Sequence, residues 1–252
     1  MELRLRRVFD CFVVAFICAA GLLLLPLLLL SFRARQWFFV HIMAVAGRLW
    51  RHTFEDTRRK TIAALDEPES SDPELRADGA IRVLEIGAGS GANFGFLRRK
   101  IKYWNVDPNT EFQNFLLETI KKYPKVEMER WVVCYGEDMR DVPDAHFDAV
   151  IVTHLLCSVH CPEKVLQECR RVLVKGGRLV FMEHVAQPKG SVGRMLQSVL
   201  TPLWCIIWCG CCLNRDSGEV IKNAGFSEVH LKETNVDMPI ILTRHVYGYA
   251  VA

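Results

Sequence analysis

The chain has no excess of charge of either sign. Its 32 basic and 29 acidic side chains leave a net charge of +3 over 252 residues. No basic stripe with interleaved aromatics runs through it either, and both absences argue against a nucleic-acid partner. There is no internal repeat, so the length points to one domain with a large core and an appendage. Ten cysteines are present, but they lack the paired C-x₂-C and histidine spacing of zinc modules, and no metal is expected. A disulfide framework does not fit them. Cys11 and Cys18 lie in an apolar run, while Cys134, Cys157 and Cys169 fall in or beside expected strands and helices, where cysteine is a small buried hydrophobe. That usage points to a reducing, cytosol-facing compartment.

Charge is missing altogether from residues 11–32. As one helix, about 22 residues are enough to cross a hydrocarbon core of roughly 30 Å. The run is longer than the apolar core of a secretory signal, about 7–15 residues, and no small-x-small cleavage site follows it. Residues 1–50 are therefore expected to be an uncleaved membrane anchor. Arginines flank the run on both sides (Arg4, Arg6 and Arg7; Arg33, Arg35, Arg48 and Arg51), so the positive-inside rule gives no orientation. Pro26 lies within the run and is able to bend it, leaving a span, a monotopic hairpin and an interfacial helix as alternatives.

Beyond residue 50 the pattern changes. Residues 51–64 suit a surface helix, and DEPESSDPELRADG (66–79) has the composition of a solvated linker. From residue 80, short apolar strands (81–87, 103–107, 128–138, 147–154 and 177–185) alternate with helical stretches (93–100, 111–123 and 162–173). Such alternation indicates a parallel sheet covered on both faces. The tail reads as helix 217–224 and then strands 226–235 and 243–252 with no helix between them, an antiparallel ending.

VLEIGAGSGANFGF (83–96) reads as a strand, a tight glycine turn and a helix start, which would present backbone N–H groups and a positive dipole end to a ligand. Gly87, Gly89 and Gly91 allow close approach where a Cβ would intrude, and Glu85 is placed to orient the loop. The loop also satisfies G-x-G-x-x-G/A, so by itself it leaves a dinucleotide open. Asp107, twenty residues after Gly87 at a strand end, offers two carboxylate oxygens to a pair of hydroxyl donors. Standing before Pro108, it is alternatively a turn former.

In order, VLEIGAGSG, Asp107, GEDM, FDAVIVTHLLCSV and LVKGGRLVFMEH resemble the class I S-adenosylmethionine-dependent methyltransferases over about residues 78–252. The anchor and the LCSV, FMEHV and YGYAV segments are similar to the membrane-associated methyltransferase-like family that includes microsomal alkyl-thiol S-methyltransferases. The resemblance implies a Rossmann-like seven-stranded sheet, mostly parallel with an antiparallel last strand, over residues 80–252, with residues 51–79 as linker and leading helix.

It also implies S-adenosylmethionine as cofactor, with Glu85, Gly87, Ala88, Gly89, Gly91, Asp107, Glu137, Asp138, Met139 and Thr153 around it. Asp107 would take the ribose hydroxyls, Glu137 or Asp138 the adenine amine, and Met139 the ring face. Glu137 and Asp138 are alternatively solvated loop acids, and Asp148 is expected to be structural. His184 on the strand rim is the candidate proton acceptor, or else a polar residue satisfied by backbone. Because methyl transfer is an in-line displacement dominated by positioning, a dedicated base is dispensable.

The implied acceptor is a small lipophilic alkyl thiol, giving a thioether and S-adenosylhomocysteine. The implied location is the endoplasmic reticulum membrane with the catalytic domain facing the cytosol, or lipid droplets. Trp204, Ile206, Ile207 and Trp208, within the apolar segment 192–213, read as a second bilayer-facing surface or as core packing. A coat protein retaining the fold without turnover is the alternative from another class. A nicotinamide oxidoreductase is disfavoured by the antiparallel ending, and no N/D-P-P-Y/F motif for amino-group methylation of nucleic acid is present.

Overall fold

The structure, a computed structural model, describes residues 2–252, with side chains from residue 8 onward. Seven strands form one sheet: β1 (Ile81–Ile86), β2 (Ile101–Val106), β3 (Val126–Val132), β4 (Phe147–Thr153), β5 (Leu173–His184), β6 (Glu228–Asn235) and β7 (Arg244–Val251). Their order is β3-β2-β1-β4-β5-β7-β6. Only β7 runs against its neighbours, pairing antiparallel with both β5 and β6.

Period-two alternation explains why the central strands read as continuous apolar runs. On β1, Leu84 and Ile86 face one core cluster while Ile81 and Val83 face another. On β4, Val150 and Val152 oppose Ala149 and Ile151 in the same way. Helices α7 (Pro162–Val172) and α9 (Ser217–Lys222) cover the first face. Helix α4 (Arg51–Ile62) and α6 (Gln113–Ile120) belong to the second, through Ile62 and Leu116. Each such side chain contributes about 1.5–3 kcal/mol by leaving water.

Several expectations need correction. The uncharged stretch 11–32 is not one helix. Helix α1 (Glu2–Leu23) uses its first half on charged residues, α2 (Leu25–Leu30) begins with Pro26 in its first turn, and Ser31 caps α3 (Phe32–Leu49) by accepting from the Ala34 N–H at 3.2 Å. Proline has no N–H and is tolerated only at a helix start, which forces the break. Among the described residues no helix is long and apolar enough to cross a membrane. The chain doubles back instead, and Trp50 Nε1 at the end of α3 donates to the buried Asp10 of α1 at 2.9 Å.

Residues 66–79 are not a solvated linker. The segment holds α5 (Pro73–Ala77), and Asp148 accepts from the Ser70 hydroxyl (2.7 Å), the Ser71 N–H (2.8 Å) and the Arg82 N–H (2.8 Å). That gives Asp148 its structural role. Residues 93–100 form no α-helix but one 3-10 turn, Phe94–Phe96. Gly95 weakens a helix there, and Arg99 is drawn to the carbonyls of Gly79 and Pro68. Strand β3 also ends at Val132, well short of residue 138.

A third apolar cluster lies outside the sheet. Val14 and Ile17 of α1, Ala46 of α3, and Trp204 and Ile207 of α8 (Val192–Ile207) pack together with Trp208 and Trp50. A Cβ on Gly21 would stand 2.8 Å from Ile207 Cγ1, so glycine sets how closely α1 meets α8. Trp204, Ile207 and Trp208 are buried between the helices rather than displayed as a bilayer-facing surface, and Trp204 stacks on Trp208 at 5.0 Å. The outward face of α8 is Val192, Met195 and Val199.

Candidate active site

Strand order reverses between β1 and β4, and the loops leaving their C-terminal ends diverge there to make the crevice where open α/β sheets bind ligands. The loop after β1 carries Gly87, Gly89 and Gly91 at φ of 71°, 56° and 81°, a region that disfavours any residue with a Cβ. A Cβ on Gly87 would reach Leu155 of the opposite loop at 2.8 Å, and one on Gly91 would meet Phe94 at 2.6 Å. Gly87 N–H donates to Val106 (2.8 Å) and Ala88 N–H to the Asn105 side chain (3.4 Å), pinning the loop to β2. No helix dipole stands behind this loop; it rests on a side-chain network instead.

Glu85 is the centre of that network. Its carboxylate accepts from Asn93 Nδ2 and Tyr103 Oη, both at 2.6 Å. Asn93 also donates to Thr153 Oγ1 at 3.1 Å and accepts from Arg58. Burial raises the Glu85 pKa, against these hydrogen bonds and the Arg58 charge, and lowers that of Arg58 to about 10. With both carboxylate oxygens engaged, Glu85 supports the loop from beneath. Arg58 escaped sequence reading because it sits on α4, outside every cofactor motif.

Asp107 directly follows β2, buried, its carboxylate accepting from the Asn109 N–H at 2.8 Å. Burial pushes its pKa up to about 7, partly offset by that bond. Beside it the side-chain nitrogens of Asn105 and Asn109 are buried without partners. An under-satisfied carboxylate at the mouth of a glycine cradle fits a ligand bringing a pair of hydroxyl donors.

The GEDM segment passes the end of β1, where a Cβ on Gly136 would lie 3.0 Å from Ile86 Cγ2, and its side chains have protein partners. Glu137 accepts from the His160 (2.7 Å) and Cys161 (3.3 Å) N–H groups at the start of α7, a capping role. Asp138 turns outward to Arg140. Met139 is fully buried in the sheet core, its N–H donating to Glu168 at 2.9 Å, and covers no ligand face.

The opposite rim is built from β4, β5 and β7. His154 adopts φ 53°, a left-handed conformation uncommon outside glycine and concentrated at functional sites. Its Nε2 lies 3.2 Å from His245 Nε2, and Phe54 of α4 packs on both rings. Burial lowers the pKa of His154 well below the usual imidazole value and that of His245 to about 3. Because His245 Nδ1 faces the Thr243 carbonyl at 3.3 Å, it carries the proton there. His154 Nε2 is then the donor between the rings, and His154 Nδ1 keeps the free lone pair.

Glu183 accepts from the Leu155 (2.8 Å) and Leu156 (3.0 Å) N–H groups, fixing the loop after β4. Burial raises its pKa to about 7 against those bonds. His184 points Nε2 at Cys211 Sγ, 3.2 Å away. Burial opposes its protonation most strongly of any single cause, but Cys157 and Glu183 together outweigh it and its pKa is raised. Cys157, His184 and Cys211 stand 27 residues apart in succession, which is why no spacing rule connects them.

Helical elements close over this rim. Phe39 of α3 meets Phe112 edge-on at 5.9 Å, and Phe112 lies beneath the Gly89 position. Arg215 donates to the Leu156 and Val159 carbonyls, both at 2.6 Å, stitching the loop after α8 to the loop after β4.

Comparison with known proteins agrees with this geometry. The methyltransferase-domain family profile matches residues 84–181. Human thiol S-methyltransferase TMT1B is 38% identical over 215 residues, 85% of this chain and 86% of that protein. Human thiol S-methyltransferase TMT1A is 40% identical over 174 residues, 69% and 71% of the two chains. The chain belongs to this methyltransferase family. It is an S-adenosylmethionine-dependent methyltransferase. The fold also matches a possible histamine N-methyltransferase from Thermotoga maritima at TM-score 0.55 and 17% identity, covering 85% of this chain and 98% of that one. In this methyltransferase, the under-satisfied Asp107 carboxylate and the glycine loop are the features able to take hydroxyl donors and a close backbone approach.

Proposed function

We propose that this methyltransferase works at a membrane surface and methylates the sulfur of small lipophilic alkyl thiols, leaving a thioether and S-adenosylhomocysteine. The acceptor class is supported by the thiol S-methyltransferase names of relatives that align with most of the chain. The membrane setting is carried by one observation. The helices that close the site also expose a broad apolar face: Phe12 (75% exposed), Phe16 (74%), Leu23 (84%) and Leu30 (88%), together with Val199 (71%) on α8. Exposed apolar side chains in this number mark interaction surfaces, and a lipid-facing cover gives a dissolved thiol a short route to the rim. The enzyme then lies in the plane of the endoplasmic reticulum membrane, or on lipid droplets, with its catalytic domain in the cytosol.

When bound, the cofactor supplies an electrophilic methyl on a sulfonium. The protein's part is to hold and orient the reactants and to exclude water. Asp107 binds the ribose as an ionised acceptor, and Glu85, Asn93, Thr153 and Arg58 keep the glycine loop at its approach distance. A thiol with a pKa of about 8.5 is only a few per cent thiolate at pH 7. The thiol proton leaves to solvent, and His154 Nδ1, which burial keeps neutral, orients the sulfur by accepting its hydrogen bond beforehand; the His245 ring fixes its tautomer.

The test is turnover by the full chain in liposomes with labelled S-adenosylmethionine and a panel of alkyl thiols, amines, phenols and carboxylates. Methylated thiol, lost in Asp107→Ala and reduced in His154→Phe with partial recovery at alkaline pH, is the expected result. Transfer confined to amines or phenols overturns the thiol assignment. Equal rates with and without lipid, with no co-flotation, overturn the membrane assignment.

A further inference from the structure

We propose that Cys157, His184 and Cys211 hold one borderline-soft divalent cation of the zinc type. The three come from separate elements: the loop after β4, the last residue of β5 and the loop after α8. One donor atom from each lies within 4.8 Å of the others. A tetrahedral zinc with two sulfurs and one nitrogen holds its donors about 3.5–3.8 Å apart, so shifts of about 1 Å or less close the set. Two thiolates, one imidazole and no carboxylate suit zinc and exclude calcium and magnesium, which take oxygen ligands. Two thiolates also balance the charge of a divalent ion, so the buried site is neutral when filled.

The surroundings are built to hold these donors in place. Cys157 and His184 are only 1% and 5% exposed. The Cys157 carbonyl accepts from the Cys212 N–H at 2.8 Å, and Arg215 and Glu183 grip the same loop from two sides. Gly210, at φ 99°, lets the segment bearing Cys211 lie against Ser158, whose carbonyl a Cβ would meet at 2.7 Å. Polarity is uncompensated there: His184 Nδ1 and Glu183 Oε2 are both buried with no hydrogen-bond partner. Cys205 and Cys212, whose sulfurs approach to 3.4 Å, lack an imidazole and serve as the internal control. Three protein donors leave one tetrahedral vertex for water or an exogenous donor, the pattern of open rather than closed zinc sites.

The experiment is anaerobic titration of the reduced, chelator-treated full chain in detergent with Co(II), read by absorption. The expected result is one equivalent bound, with sulfur-to-cobalt charge transfer in the near ultraviolet and tetrahedral ligand-field bands, both displaced by Zn(II). Cys157→Ser and Cys211→Ser should each lose the charge-transfer intensity, while the Cys205→Ser/Cys212→Ser double variant keeps it. Retained S-adenosylmethionine binding by each variant shows that it is folded. Should the single variants fail to fold, alkylation of the native chain with and without Zn(II) decides the matter: the metal must protect Cys157 and Cys211 and leave Cys11 reactive. Absence of thiolate bands in the native chain, bands that survive both single variants, or bands lost only in the double variant overturn the proposal. None of these readouts depends on which acceptor the enzyme methylates.

Discussion

The cofactor half of the sheet and the helical cover over its rim are both apolar, but they arrange that character differently. In β1 and β4 every apolar side chain turns to one core or the other, and nothing is left outside. In α1 and α8 one face is buried, with Val14, Ile17, Trp204 and Ile207, and the other stays exposed, with Phe12, Phe16, Met195 and Val199. A sheet enclosed on both faces has finished its folding; a two-faced cover has a second surface still to satisfy. The first region carries the cofactor loop, and the second presents an apolar face to its surroundings.

Substitutions sharpen this contrast. The largest effect should come from Ile207→Ala, which removes a fully buried side chain at the α1–α8 contact. A cost of about 2–5 kcal/mol is expected. If the cover is its own cooperative unit, calorimetry will show it melting before the sheet, with cofactor binding retained; a single shifted transition would mean the two regions fold as one.

Next is Asp107→Ala. Losing two hydrogen bonds to a charged acceptor should cost about 3 kcal/mol of cofactor affinity, on the order of a hundredfold in Kd. Isothermal titration checks it, and an unchanged Kd removes Asp107 from the site. The apo protein should become more stable, not less, near neutral pH.

The pH dependence follows from the same carboxylate. Its folded pKa of about 7 lies above the unfolded value, so Asp107 costs the apo fold stability as pH rises from about 4 to 7. Cofactor donors favour the ionised form, so affinity should rise up to tenfold per unit below pH 7 and level off above it. Asp107→Asn should flatten that profile in titrations between pH 5.5 and 8.5.

The smallest change in stability should come from the paired substitution Phe12→Ser/Phe16→Ser on the outer face. Each is expected to shift the melting free energy by no more than about 0.5 kcal/mol. Vesicle co-flotation should nevertheless fall sharply. A large loss of stability with unchanged flotation would show that this face packs within the protein.

Legibility in the sequence followed locality. The strands, the glycine turn and Asp107 could be read because a strand alternates over a few residues and positive φ demands glycine at fixed positions. The partners of Glu137 and Met139 could not be read, because a motif records order along the chain and not the direction a side chain takes: Glu137 accepts at the start of α7 and Met139 packs in the core. The helix expected over 93–100 failed because Gly95 and the pull on Arg99 outweighed the apolar pattern around them. Arg58, His245 and Cys211 gave no local signal, since their partners lie 35, 91 and 27 residues away.

By itself, then, the sequence determined a doubly covered, mostly parallel sheet, its antiparallel ending and the cofactor loop, because hydrophobic periodicity and backbone sterics act between near neighbours. The folding back of residues 2–49, the burial of Trp204 and Trp208, the neutral His154–His245 pair and the Cys157–His184–Cys211 cluster were decided only in three dimensions. Each depends on desolvation and donor geometry between segments far apart in the chain, and no short window of sequence holds both partners.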